Sequence, residues 1–108
     1  MGEHARVGAL LQLLQQELEM NQFWSAATIE AEALMSQQPF CVDTLNFSQW
    51  LQFVFIPRMQ AMIDSDQALP RMKKGQGIEP MASEYFNNKL GGAGVLTLIL
   101  QLDEVLQD

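Results

Sequence analysis

The residues able to do chemistry in this chain are few and scattered. Cys41 is the only cysteine and His4 the only histidine. Nucleophilic catalysis needs a nucleophile, a base and an orienting group. Cys41 or Ser48 could supply the first, but no internal histidine can serve as base, and Lys73, Lys74 and Lys89 read as exposed. Acid–base catalysis by paired carboxylates would need a second buried acid beside Asp43, and the sequence nominates none. A metal site needs convergent ligands. Glu3, Glu17 and Glu19 share no face with other ligands, and Asp103 and Glu104 point different ways on a helix, so no metal, cofactor or catalytic residue is expected. Gly91, Gly92 and Gly94 precede a helix, where backbone donors can hold an anion. No strand comes before them and no lysine comes after as in a phosphate-binding loop, so a plain turn between helices is expected.

Two polar residues stand out, Asp43 and Arg58. Asp43 and Thr44 sit just before a helix start, where they would either hold its free backbone donors or brace the crossing loop. Arg58 lies about 12 residues beyond Asn46, so a straight helix carries it ~18 Å from that start. An Asp43–Arg58 pair is therefore not expected. On a central helix Arg58 must reach an acid, a carbonyl or solvent, because an unpaired buried charge is costly. The sharper expectation is that Arg58 marks a partner-facing groove beside Trp50. Asp43, Trp50 and Arg58 are the candidate partner-binding residues.

The elements that must position them read as helices. Val7, Leu10, Leu11, Leu14 and Leu18 recur at three and four residues and predict a helix from Glu3 to Met20, with Leu13 widening its apolar stripe. Asn21 suits its end. Phe23 and Trp24 should dock on the core from a connection. Glu30 to Ser36 suggests a short second helix, capped by Thr28, with Leu34 and Met35 as its apolar contacts. Pro39 to Leu45 is an irregular crossing.

Asn46 with Gln49 then fits a capping box, and Leu45 with Trp50 fits the matching hydrophobic staple. The helix running from there to about Asp64 is apolar almost all round: Phe47, Trp50, Leu51, Phe53, Val54, Phe55, Ile56, Met59, Met62 and Ile63. Such a helix is central. Pro57 lies within it, at a cost of ~3 kcal/mol in a regular helix, and predicts a kink or a break at Ile56. Arg71 to Glu79, with Gly75 and Gly77, has little to bury and reads as the most mobile stretch. Pro80 suits the start of a short helix through Phe86, with Met81, Tyr85 and Phe86 packing. Val95, Ile99, Leu102 and Leu106 mark the inner stripe of a last helix over Ala93 to Gln107. The fold class is all-α: a small bundle of about four helices with a central, proline-interrupted apolar helix.

The bulk properties agree with one domain over residues 1–108. Hydrophobic residues make up 48%, enough for a core without disulfide or metal, and a single cysteine permits no internal disulfide. No apolar run approaches the ~18 residues that span a bilayer, and the first residues lack the basic start and cleavage site of a signal peptide. A cytoplasmic protein with no membrane contact is expected. The net charge of −7 disfavours direct nucleic-acid binding. Arg71, Lys73 and Lys74 form one small basic cluster, read as a solvated loop.

Gln38-Pro39-Phe40, Asp43-Thr44, Trp50-Leu51-Gln52, Ile56-Pro57-Arg58-Met59 and Leu69-Pro70, then Pro80-Met81 and Glu84-Tyr85-Phe86, resemble the YqcC-like family of small proteobacterial proteins. The likeness covers most of the chain after Leu34. It implies a small all-helical bundle. The family's genes often lie beside one for a tRNA pseudouridine synthase, whose name is sometimes given to the family. Enzymes resembling that neighbour carry a catalytic aspartate in an Arg-Leu-Asp setting; the nearest string here, Gln101-Leu102-Asp103, lacks the arginine. The expected function is a non-enzymatic accessory or protein-interaction module with a basic, RNA-modifying protein as partner. Two alternatives stay open: a bundle that binds a small apolar ligand along Trp50, Phe53, Phe55, Met59 and Met62, or a self-associating structural protein, a homodimer.

Overall fold

A computed structural model describes residues 2–26, 29–71, 73 and 77–107, with only the backbone given for Pro39. Helix α1 spans Glu3–Met20, and its apolar stripe is the buried one: Val7, Leu10, Leu11, Leu14 and Leu18. Leu13 does not widen that stripe, because it is 47% exposed. The helix ends at Asn21 in a Schellman arrangement. Gln22 turns left-handed at φ 65°, its N–H reaches the carbonyl of Glu19, and the N–H of Phe23 reaches that of Leu18 at 2.8 Å. Phe23 and Trp24 then pack against the core, Phe23 edge-on to Phe86 at 5.0 Å.

The second helix is shorter and barer than its sequence suggests. Ala31–Met35 forms a 3₁₀ turn led by Glu30, and Thr28 lies outside the described residues. Leu34 and Met35 supply no core contacts: they are 42% and 75% exposed. Five residues in 3₁₀ geometry are too few to turn an apolar face fully inward. Thr44 and Asp43 hold this turn to the crossing. Thr44 Oγ1 donates to the carbonyl of Ala33 at 2.7 Å, and Ser36 Oγ donates to Asp43. Both residues brace the loop; neither caps the helix beyond it.

Asn46 performs that capping. Its side chain accepts from the N–H of Gln49 at 2.9 Å, and the Gln49 side chain accepts from the N–H of Asn46 at 3.0 Å. From there the chain is helical to Asp64 in three consecutive pieces: α2 (Phe47–Trp50), a π-helical turn (Leu51–Phe55) and α3 (Ile56–Asp64). Trp50, Leu51, Phe55 and Ile56 all keep right-handed helical dihedrals, so Pro57 does not break the helix. The chain widens just before the proline: the N–H of Ile56 reaches back five residues to the carbonyl of Leu51. Pro57 then sits in the first turn of α3, where it needs no N–H. The end of α3 repeats the α1 solution, with Asp66 left-handed at φ 55° and the N–H of Gln67 on the carbonyl of Met62 at 2.8 Å.

Helices α4 (Glu79–Phe86) and α5 (Gly92–Leu106) complete the bundle. Val95, Ile99, Leu102 and Leu106 are fully buried, and α5 packs on both α1 and α4. Helix α3 lies against α1, and α2 against α4. One continuous core joins these elements. No strand occurs among the described residues.

Side chains remote in sequence pin the ends. Asp103 on α5 accepts from the N–H groups of Ile78 and Glu79 at 3.0 and 2.7 Å and so caps α4 from outside. Gly77 permits this approach, since a Cβ there would lie 2.5 Å from the carboxylate. The stretch before α4 is therefore anchored at its end: Ile78 is buried in the core, contrary to the expectation of a segment with little to bury. Gly75 and Lys74 lie outside the described residues. Arg71 is no free solvated charge. It pairs with Glu3 at 2.6 Å and donates to the carbonyl of Val105 at 3.2 Å. His4 is likewise tied down, with Nε2 donating to the carbonyl of Gln67 at 2.6 Å.

Asp103→Ala should lower the unfolding free energy by ~1–2 kcal/mol in urea titration, the usual scale for a lost helix cap, and Asp103→Asn by less. Gly91 leads into α5 at φ 85°, and a Cβ on it would collide with the Asn21 side chain. Gly91→Ala should therefore cost more than ~1 kcal/mol by the same measurement.

Candidate functional site

The residues with chemical potential are mostly engaged in holding the fold. Cys41 is buried within the crossing. Ser48 Oγ donates to Asn46 Oδ1 at 2.8 Å and lies 3.4 Å from the Tyr85 hydroxyl; neither neighbour is a base. Gln52, buried on the central helix, exchanges two hydrogen bonds with the backbone of Ser25 at 2.7 and 2.9 Å. Asp103, the aspartate nearest to an enzyme-like string, has both oxygens on backbone donors. The carboxylate of Glu17 lies against Gly94 in the first turn of α5, so that helix N-terminus already has its negative charge. No group of three or more potential metal ligands occurs among the described residues.

A groove of about 320 Å³ runs along the central helix; a wider depression of about 640 Å³ lies between the start of α1 and the end of α5, lined by Glu3, Arg6 and Glu104. The floor of the groove is Phe55, Met59 and Ile78, all buried. Trp50, Val54 and Met62 line the helix side, with Arg58 exposed on the rim. Phe40 closes one end, and Pro70 with Gly77 stands opposite. Phe40 is held for this position by unusual backbone. Phe40 and Cys41 are both left-handed, at φ 57° and 50°, a conformation costly outside glycine. The Phe40 ring sits edge-on to Trp50 at 4.8 Å, and Trp50 stacks between Phe47 at 5.7 Å and Phe55 at 5.5 Å. Trp50 is thus fixed as a half-buried platform. The π turn contributes as well. It spans Leu51–Phe55 within the wall on which Trp50, Val54, Arg58 and Met62 recur every four residues, with Met59 beside them.

Trp50 and Arg58 both line this groove, and Asp43 does not join them. Asp43 is exposed on the crossing with Ser36 as its partner and lines no part of this groove. Phe53 also departs from the expected apolar row. It lines another, more open depression with Leu34 and Pro57, to which Val54 and Arg58 also contribute. Phe40, Pro70 and Ile78 are not among the residues the sequence nominates for the site, although Phe40 and Pro70 stand within motifs of the family resemblance. Those motifs converge here: Phe40, Trp50, Arg58 with Met59, and Pro70 come from four separate segments and line one groove.

Residues 6–105 match the DUF446 family, described as tRNA pseudouridine synthase C. The chain belongs to this family. An uncharacterised protein of Haemophilus influenzae is 45% identical over 96 residues, covering 88% of this chain and 84% of its own length. The uncharacterised protein YqcC of Escherichia coli K12 is 40% identical over 70 residues, 65% of this chain and 64% of that one. The solution NMR structure of E. coli YqcC superposes with a TM-score of 0.82 at 31% identity, over 98% of this chain and 89% of the other. The all-helical bundle is thus shared with E. coli YqcC. A protein of Pectobacterium carotovorum named tRNA pseudouridine synthase C is 45% identical over 58 residues, which are 54% of this chain but only 15% of that protein. No helix among the described residues is long and apolar enough to cross a membrane.

Arg58 is exposed and forms no ion pair among the described residues. Arg58→Ala should accordingly leave the thermal unfolding free energy within ~0.5 kcal/mol. Trp50→Ala should cost about 3 kcal/mol, since it removes the centre of an aromatic cluster. A large loss on Arg58→Ala would make this arginine part of the scaffold rather than of the groove.

Proposed function

We propose that this chain is a non-enzymatic accessory module that docks a basic RNA-modifying protein in the cytoplasm, with a tRNA pseudouridine synthase as the partner. One observation carries the reading. Four motif segments converge on an apolar groove with a charged rim, and the described residues bring no nucleophile, base or ligand cluster to it. An aromatic platform with an arginine beside it is the composition that anchors protein interfaces. The net charge of −7 suits a basic partner and would speed its approach. The Pectobacterium protein supports the choice of partner, because a segment similar to this chain makes up 15% of a longer chain bearing the synthase's name.

The groove volume also lies near the lower end of small-ligand pockets, which run from about 300 to 1,000 Å³, and this favours the second reading, a site for a small apolar molecule. Calorimetric titration of the purified chain with the tRNA pseudouridine synthase of the same organism separates the two. The module reading expects binding at ~50 mM salt that weakens several-fold at ~300 mM. No heat at either salt concentration, or binding to tRNA in place of the enzyme, would overturn it.

A further inference from the structure

The groove is selective in its charge. Among its described lining residues Arg58 is the only charged side chain, and the remainder are apolar except for glycine. Arg58 is exposed at the edge of this apolar trough and has no ion pair among the described residues, so its guanidinium is open to an anion that a partner brings. We infer that the groove recognises an apolar segment of the partner chain carrying one carboxylate, which pairs with Arg58 while neighbouring apolar side chains lie on Trp50 and Met62. This deepens the module reading and rests on it.

A guanidinium fork fits a carboxylate with two parallel hydrogen bonds. A phosphate would bring a second negative charge beside apolar walls that, among the described lining residues, hold no second cation. The acid supplies register and discrimination, and the apolar side chains supply the burial. The acidic surface as a whole attracts a basic partner, whereas this one position selects an acid within it. A partner segment with a lysine opposite Arg58 would be rejected by like-charge contact.

The test uses the ¹⁵N-labelled full chain and three capped pentapeptides of leucine that differ only at the central residue: aspartate, asparagine or lysine. The aspartate peptide should shift the Trp50 indole and Gly77 amide signals, leave the Trp24 indole in place, and bind at least tenfold more tightly than the other two. Arg58→Glu should reverse the order, so that the lysine peptide binds best. Equal binding of the three peptides, or none, overturns the inference. So do groove shifts that track protein concentration alone, which would seat a second copy there, and shifts produced by decanoate without any preference among the peptides. The peptides contain no synthase, so this result is independent of the synthase titration. An enzyme that binds a chain whose groove fails the test leaves the module reading standing and removes only the recognition of an acid.

Discussion

Pro57 imposes the constraint on which the site depends. A proline inside a helix gives up one hydrogen bond and crowds the preceding turn. Here the central helix stays helical and widens over Leu51–Phe55, so that Pro57 falls in the opening turn of α3. Trp50 before the wide turn and Arg58, Met59 and Met62 after it line the same groove. The core loses little to the irregularity, because Leu51, Phe55, Ile56 and Met59 remain buried through it. The α1–α5 packing supplies the rigid background against which the central helix can be irregular.

The second irregularity faces the first. Phe40 and Cys41 take left-handed backbone in a crossing braced by Thr44 and Asp43. Strain of this kind persists only where surrounding contacts hold it, and it gathers at binding sites. Its visible product is the Phe40 ring on Trp50. Asp43 thus acts at one remove: it steadies the loop that carries Phe40, and the groove itself is left to Trp50 and Arg58. The functional reading rests on this division. Asp103, Thr44 and Asn46 are taken up by capping and bracing, and the cation on the groove has no ion pair among the described residues.

How much of this was legible in the sequence depended on whether the determinant was local. The α1 and α5 stripes and the Asn46–Gln49 box rest on residues three or four apart, and they could be read directly. The Schellman ends at Gln22 and Asp66 could not, because neither position carries the glycine that usually announces one. Asp103 was opaque for a different reason: its partners lie 24 and 25 residues away, and only the folded chain shows it capping α4. Leu34 and Met35 misled because apolar residues promise burial only where enough helix exists to turn them inward. For the site, Trp50 and Arg58 were recoverable from their shared helix. Pro70, Gly77 and Ile78 reach the groove from outside the central helix by tertiary closure, and pattern alone gives no view of them.

Hydrogen–deuterium exchange on the full chain, alone and with the synthase bound, tests most directly the claim that the widened helix and the strained crossing together form the working surface. The account predicts added protection in the segments around Phe40, Trp50 to Met62, and Ile78, with the outer face of α1 and α5 unchanged. Protection confined to that outer face, around Leu13, Met20 and Leu98, with the central helix exchanging as in the free protein, would contradict it.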